Sequence, residues 1–250
     1  MLAAQRRRLI LHAVRSNRGA QVVELAHRFG VSEITVRRDL THLAREGKLT
    51  RVYGGAIGDA DEPPFDATET ERRQAKERVG RAGARLVEDG QTIMIDIGTT
   101  ALELARALRD RQLTVITSNL AVVEELMSAE GIELVVLGGV VRRNYRSLVG
   151  VLAEDALRQV SADVAFLGAS GVRRQDLGVM DTTTVEVPIK RGMIGSAERS
   201  VLLVDAAKFP GGGIVRICGV ERFETVVTDA PEDEQLVAAI ERAGVNVVRA

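Results

Sequence analysis

Apolar residues recur at helical spacing along the first fifty residues of the chain. The first predicted helix carries its apolar positions at Leu2, Leu9, Ile10, Ala13 and Val14. After a predicted turn, SNRGAQ, the segment VVELAHRFG predicts a short second helix that ends at Gly30. A third helix is expected to begin with Ser32 as N-cap and to run to about Glu46, just before Gly47.

Beyond the third helix, the segment KLTRVYGGAI alternates in character and contains a pair of glycines, Gly54 and Gly55, which is typical of a short hairpin. Residues 58–67 are acidic and contain two prolines, and a helix is predicted from Thr68 to Leu86. We therefore divide the chain into an N-terminal domain at 1–57, a linker at 58–75 and a C-terminal domain at 76–250.

From Gln91 the pattern changes to strand-like apolar runs that alternate with helices. Runs such as TIMIDIG, LTVITS, IELVVLGG and SVLLVDAA are separated by segments such as TTALELARALRD. This alternation predicts an α/β fold with a mostly parallel, doubly wound sheet. Ligands bind such sheets at the carboxyl ends of the strands, so the site is expected there.

The third helix has two distinct faces at about 100° per residue. Val36, Leu40 and Leu43 share the side that is expected to pack on the preceding helices. The opposite side carries Ile34, Arg38, Thr41 and Arg45, with Arg37 at its flank. Arginines on an exposed helix can bind phosphates or guanine edges, and an isoleucine can contact a thymine methyl group. The alternative is a solvated charged face with one stray isoleucine.

The charge balance supports a nucleic-acid partner for the N-terminal part. Residues 1–57 hold 11 Lys and Arg against 4 Asp and Glu, a net charge of +7. The rest of the chain then carries −8, which gives the total of −1. Aromatic residues make up 3% and tryptophan is absent, so binding of single strands by base stacking is not expected.

The lone Cys218 excludes an intrachain disulfide framework and suits a reducing compartment. No segment approaches the roughly 18 apolar residues of a membrane span. We expect a soluble cytoplasmic protein without cofactor or metal.

Residues 6–57 resemble the winged helix-turn-helix of DeoR-type bacterial transcriptional regulators. The motif VSEITVRRDL followed by GKLTRVYGGA carries the resemblance. It implies a recognition helix and a wing that bind double-stranded operator DNA. The residues expected to contact DNA are Ser32, Ile34, Thr35, Arg37, Arg38, Thr41, Arg51 and Tyr53.

Small and polar residues follow the predicted strands of the C-terminal domain. They form five groups: Asp96, Gly98, Thr99 and Thr100; Thr117, Ser118 and Asn119; Gly138 and Gly139; Gly168, Ser170 and Gly171; and Asp205 with Lys208. Backbone N–H groups and hydroxyls at such strand-to-helix turns can surround an anion. Each turn alone could be ordinary, but five in one sheet favour a site for a small phosphorylated sugar or polyol.

Residues 68–230 resemble the effector domain of DeoR-type regulators, whose fold is shared with ribose 5-phosphate isomerases. The resemblance implies an effector site formed by Gly98, Thr99, Thr100 and Lys208, lined by Asp96, Asn119 and Gly139. Those isomerases have a catalytic glutamate 18 positions before the motif lysine, where this chain has Lys190. A protonated lysine cannot serve as the base, so turnover is not expected. Lys190 is either a second phosphate contact or a surface lysine.

The function expected from these features is a transcriptional regulator, and specifically a repressor of a carbohydrate operon controlled by a phosphorylated sugar or polyol. One recognition unit reads too few base pairs for specificity, so a homodimer or homotetramer is expected. The competing hypotheses are an active sugar-phosphate isomerase with an ancillary DNA-binding domain and a nucleotide-sensing regulator. No G-x-G-x-x-G follows a strand, which weakens the last of these.

Overall fold

The computed structural model describes residues 2–16, 20–45, 49–52, 54–57, 64–231 and 234–250. Contacts divide the chain into two compact units, Met1–Pro63 and Pro64–Ala250, here called the N-terminal and C-terminal units. Residues 65–75, which we assigned to the linker, are mostly helical and belong to the C-terminal unit. The functional limits of the two domains stay a prediction.

The described part of the N-terminal unit contains three helices and three short strands. They are α1 (Ala3–Ser16), β1 (Ala20–Gln21), α2 (Val22–Phe29), α3 (Glu33–Arg45), β2 (Thr50–Val52) and β3 (Gly55–Ile57). Helix α2 ends where Gly30 adopts φ 62°, a left-handed conformation that suits glycine. Helix α3 begins where Ser32 Oγ accepts a hydrogen bond from the Thr35 backbone N at 3.2 Å. Both predicted boundaries are confirmed.

An aliphatic core holds the three helices together, as their periodicity predicts. Its buried side chains include Ile10, Val14, Val22, Leu25, Val36, Leu40 and Leu43. Strands β2 and β3 form the predicted antiparallel hairpin, with Arg51 opposite Ala56. Strand β1 pairs with β3 as well. Ala20 and Gln21 therefore lie in a strand, and the turn predicted over SNRGAQ is wrong at these two residues. This pairing joins residues far apart in sequence, which local turn signals do not detect.

The described part of the C-terminal unit begins with α4 (Phe65–Thr70) and α5 (Arg73–Ala84). The elements that follow are β4 (Thr92–Ile95), α6 (Thr99–Leu108), β5 (Leu113–Thr117), α7 (Leu120–Leu126), β6 (Ile132–Val136), β7 (Val140–Arg142), β8 (Ser147–Val149), α8 (Val151–Leu157), β9 (Ala162–Gly168), β10 (Gly171–Val172), β11 (Gly178–Asp181), α9 (Val187–Gly195), β12 (Ala197–Leu203), β13 (Val215–Gly219), β14 (Thr225–Thr228), α10 (Gln235–Arg242) and β15 (Asn246–Arg249). Two short 3₁₀ helices span Ala206–Lys208 and Val220–Arg222.

Seven strands form a central sheet in the order β15-β14-β12-β9-β4-β5-β6, and every neighbouring pair is parallel. The predicted parallel α/β sheet is therefore confirmed. The chain builds β4, β5 and β6 in one direction and then returns to add β9 on the other side of β4. The topological switch point thus lies between the carboxyl ends of β4 and β9, where doubly wound sheets bind ligands.

Alternating residues of each strand bury their side chains on opposite faces of the sheet. Met94 belongs to one core cluster with Met193 and Ile240 of helices α9 and α10. Its neighbours Ile93 and Ile95 belong to the other cluster, with Leu104 of α6. Both faces are therefore covered by helices, which explains the nearly continuous apolar runs in the sequence.

Two small antiparallel sheets, β7-β8 and β10-β11-β13, supplement the central sheet. We did not predict them, because their strands are short and the segment around Thr182 reads as polar. In the β7-β8 hairpin, Arg142 lies opposite Ser147.

The structure also contradicts the single helix predicted from Thr68 to Leu86. Helix α4 ends at Thr70, and Arg72 takes φ 49° before α5 begins. The two helices pack on different partners: Phe65 of α4 is buried with Leu102, whereas Gly80 of α5 lies against the backbone of α6. Helix propensity alone cannot reveal this change of direction.

No helix within the described ranges is long and apolar enough to span a membrane.

Candidate functional site

The two faces of α3 differ as its sequence predicts. Val36 and Leu40 are fully buried, whereas the Ile34 side chain is 78% exposed. Arg38, on the same side as Ile34, is exposed too. The isoleucine is therefore not a core residue, and the exposed face combines an apolar group with a positive charge.

Polar contacts fix the side chains at the edge of this exposed face of α3. The Arg37 guanidinium lies 3.0 Å from Glu33 Oε2, one turn earlier in the helix. Thr41 Oγ1 donates to the Arg37 carbonyl at 2.7 Å and accepts from an Arg51 guanidinium nitrogen at 2.9 Å. Arg51 of the hairpin is thus hydrogen-bonded to α3, although its side chain remains exposed.

Ser32 and Thr35 serve the start of α3, since their hydroxyls lie 2.9 Å apart and Ser32 caps the helix. Tyr53 lies outside the described residues. Contacts of all these residues with DNA stay a prediction.

Sequence reasoning missed Asp39, which is buried on α3. Its carboxylate accepts a hydrogen bond from Arg6 Nε at 2.6 Å, and Arg7 Nε lies 3.9 Å away. The pair holds α3 against α1. The sequence did contain a signal for this ion pair, because Asp39 is an acidic residue directly after two arginines on a basic helix.

Replacing Ile34 by alanine is expected to leave the free energy of unfolding within about 0.5 kcal/mol of the native value, because the side chain is exposed. It is expected to lower discrimination at one A·T pair by about 1 kcal/mol, the scale of one buried methyl group. Binding assays on operator variants, beside a thermal melt, measure both effects. A large loss of stability would contradict this assignment.

In the C-terminal unit, the residue after β4 meets the last residue of β9 at the switch point. Asp96 follows β4 and is fully buried. Its Oδ2 atom accepts a hydrogen bond from the Gly168 backbone N at 3.0 Å. It also accepts one from the ammonium group of Lys190, on α9. Asp96 therefore joins β4, β9 and α9 at the carboxyl edge of the sheet.

Lys190 is only 2% exposed, so the alternative of a surface lysine is wrong. Its Nζ atom donates to Asp96 and to the Gly168 carbonyl at 3.0 Å, and Asp181 Oδ2 lies 3.6 Å away. Burial opposes the charge, but the carboxylates of Asp96 and Asp181 outweigh it and raise the pKa of Lys190. The ammonium is thus already neutralised by the protein, which weakens its predicted role as a phosphate contact.

Asn119 connects the end of β5 to the turn after β4. Its Oδ1 accepts from the Ala121 and Val122 backbone N atoms and caps α7. Its Nδ2 donates to the carbonyls of Asp96 and Gly98 at 3.3 and 3.4 Å. The side chain therefore holds the turn at Gly98 in place through its backbone carbonyls. A direct contact of Asn119 with an effector stays a prediction.

Gly98 precedes α6 with φ 106°, a conformation that favours glycine. No side chain caps α6, so the amides of its first turn are not occupied by the N-cap residue. Thr99 is buried and Thr100 is partly exposed. Gly139 has φ 138°, and a Cβ there would lie 2.7 Å from the Val149 carbonyl oxygen. Close backbone approach alone accounts for that glycine.

A cluster of cations surrounds Asp205 after β12. Lys208 is partly exposed at the end of the 3₁₀ helix that Asp205 caps. An Arg72 guanidinium nitrogen lies 3.7 Å from Asp205 Oδ1. Lys76 is buried, and its pKa is lowered by burial and further by the charges of Lys208 and Arg72, against Asp205. Sequence reasoning missed Arg72 and Lys76, since the bend at Arg72 directs them here.

The fold and these surfaces define a class: a winged helix-turn-helix domain with an exposed basic recognition helix, followed by an α/β domain with a polar switch point. Residues 6–61 match the DeoR-like helix-turn-helix domain, and residues 71–230 match the DeoR C-terminal sensor domain. The chain belongs to the DeoR family of transcriptional regulators.

Curated relatives match over nearly their whole length. The chain is 32% identical to the glycerol-3-phosphate regulon repressor of Escherichia coli (strain K12), over 92% of each protein. It is 30% identical to the HTH-type transcriptional regulator GlpR of Haloferax volcanii, over 99% of this chain and 98% of the relative. Among solved structures, ribose 5-phosphate isomerase A from Methanocaldococcus jannaschii is 22% identical, with a TM-score of 0.41 over 55% of each chain. That likeness concerns the fold alone.

Proposed function

We propose that the protein represses a carbohydrate uptake or catabolic operon and that a phosphorylated sugar or polyol controls its affinity for operator DNA. The exposed face of α3, with Ile34 beside Arg38, supports recognition in the major groove. The name of the Escherichia coli relative, a repressor of a glycerol-3-phosphate regulon, supports an effector of this class. The observation that carries the proposal is that one chain combines this basic helix with a cationic site in its sensor domain.

The phosphate group of the effector is assigned to the amides at the start of α6 and to the cations near Asp205. Backbone N–H groups at a helix N-terminus attract anions, and Gly98 lets a ligand approach them closely. Three basic side chains, Lys208, Lys76 and Arg72, lie near the carboxylates of Asp205 and Glu71, and burial lowers the pKa of Lys76. This grouping of basic side chains favours an anionic phosphate group.

The site is proposed to bind its ligand without turnover. Aldose–ketose isomerisation needs a carboxylate base near a carbon-bound proton. At the position expected for that base, Lys190 is held in the protonated form by Asp96 and Asp181. A lysine whose pKa is raised in this way stays protonated, so Lys190 cannot serve as that base.

A homodimer or homotetramer is the proposed DNA-binding form. One recognition helix with its wing reads only part of an operator, and a second copy doubles the contacted site. Analytical ultracentrifugation with and without operator DNA tests this part of the proposal.

A thermal-shift screen against sugar phosphates, followed by operator binding with each hit, tests the whole proposal. The expected hit changes operator affinity about 5- to 150-fold, the usual range of allosteric coupling. A hit that is isomerised at a useful rate would contradict the proposal and favour the enzyme. Stabilisation by NADH instead would favour a nucleotide sensor.

Arg38→Ala is expected to weaken operator binding and to reduce the slope of log K against log salt by about one unit, because one phosphate contact is lost. Salt titrations of operator binding measure this slope. Arg85→Ala, which removes an exposed arginine in the C-terminal unit, is the control. A slope that stays native in Arg38→Ala would refute the phosphate contact.

A further inference from the structure

A buried carboxylate that the proposed phosphate contacts do not use lies at the start of α9. Glu186 is only 1% exposed. Its Oε1 atom accepts hydrogen bonds from Ser147 Oγ at 2.8 Å and from the Arg142 guanidinium. Its Oε2 atom is equally buried, and no described residue donates a hydrogen bond to it. Since buried polar atoms are nearly always paired, this carboxylate oxygen calls for a partner that the described residues do not supply.

This carboxylate belongs to the same edge of the sheet as the switch point. Glu186 precedes Lys190 by one turn of α9, and its carbonyl accepts from the Lys190 backbone N at 3.0 Å. The Lys190 side chain pairs with Asp96, two residues before Gly98. Glu186 is therefore connected to the proposed phosphate site through a single side chain.

A second buried oxygen without a partner lies next to strand β8 of the β7-β8 hairpin. Ser118 follows β5, and none of the described residues is within hydrogen-bonding geometry of its Oγ atom. The Ser118 carbonyl accepts from the Leu148 backbone N at 2.8 Å, next to the Ser147 that holds Glu186. Glu186 and Ser118 thus both contact β8, and each has a buried oxygen without a partner among the described residues.

The chemistry of these oxygens differs from that of the cationic cluster. A carboxylate repels phosphate but accepts hydrogen bonds strongly from hydroxyl groups. A serine hydroxyl can donate or accept. The pair is therefore suited to the uncharged, hydroxylated part of a ligand, separate from its phosphate.

We infer that Glu186, with Ser118, recognises a hydroxyl group of the effector and selects polyhydroxylated phosphates over phosphates that lack hydroxyls. This inference rests on the proposed function, whose phosphate site it extends. Arg142 and Ser147 hold Oε1 so that Oε2 is fixed for the ligand. Both of these residues belong to the β7-β8 hairpin, which therefore contacts the carboxylate directly.

The test compares Glu186→Gln with the native chain by calorimetric titration of five probes: inorganic phosphate, n-propyl phosphate, glycerol 3-phosphate, fructose 6-phosphate and glucose 6-phosphate. In the native chain, the best hydroxylated probe is expected to bind more tightly than n-propyl phosphate. In Glu186→Gln, its affinity is expected to fall about 10- to 100-fold, the effect of losing a hydrogen bond to a charged group. The affinity for n-propyl phosphate is expected to change less than twofold.

Glu198→Gln makes the same chemical change at an exposed site on β12 and is expected to bind every probe like the native chain. Equal losses for hydroxylated and hydroxyl-free probes in Glu186→Gln would overturn the inference and leave Glu186 a structural residue. An unchanged preference would overturn it too, with phosphate binding intact. Failure of all five probes to bind the native chain would instead refute the proposed function, and the inference with it.

Discussion

Replacing Lys190 by methionine is expected to lower the free energy of unfolding of the C-terminal unit by about 3–5 kcal/mol, the usual cost of breaking a buried ion pair. The substitution leaves Asp96 as an uncompensated buried charge and also leaves the Gly168 carbonyl without the Lys190 donor. Urea denaturation followed by circular dichroism measures the loss.

The double variant Asp96→Asn with Lys190→Met is the matched control. Removing both charges is expected to recover much of the stability, because no buried charge is left unpaired. A single variant as stable as the native chain would mean that the pair contributes nothing, and that water reaches Asp96.

Lys208→Ala is expected to abolish the response to the effector and to leave operator binding in its absence within about twofold of native. The loss removes a coupling of about 1–3 kcal/mol, which is the 5- to 150-fold change in operator affinity proposed above. Operator binding with and without the thermal-shift hit measures it. Lys208 is partly exposed, so its removal should not disturb the fold.

Arg85→Ala serves here as the control, since it removes a positive charge at the exposed end of α5. It is expected to respond to the effector like the native chain. Loss of operator binding in Lys208→Ala, with or without effector, would point to misfolding and remove the basis for its assignment.

Periodicity alone was enough to predict the faces of α3 and the parallel sheet. Val36 and Leu40 are buried and Ile34 is exposed because helical geometry leaves no other arrangement once the apolar stripe meets α1 and α2. The alternation of apolar runs with helices likewise fixed the class of the C-terminal fold. The strand ends then indicated which residues gather at one edge of the sheet.

The sequence did not reveal interactions that depend on distant partners. Lys190 reads as one charge among "IKR", yet it is buried because Asp96, on another strand, neutralises it. Arg72 and Lys76 read as one side of a long helix, whereas the left-handed residue between α4 and α5 turns them toward Asp205. Tertiary contacts decided both positions, and local propensity carries no information about them.

The hydrogen bond between Arg51 and Thr41 has a consequence for how operator preference can evolve. It makes the hairpin and the recognition helix energetically interdependent, so substitutions at the two positions should show epistasis. A new residue at position 41 would also release the arginine of the hairpin, which we predict to contact DNA. If both predicted contacts hold, base preference and overall affinity are expected to change together, and paired substitutions at positions 41 and 51 are the expected route to a new operator.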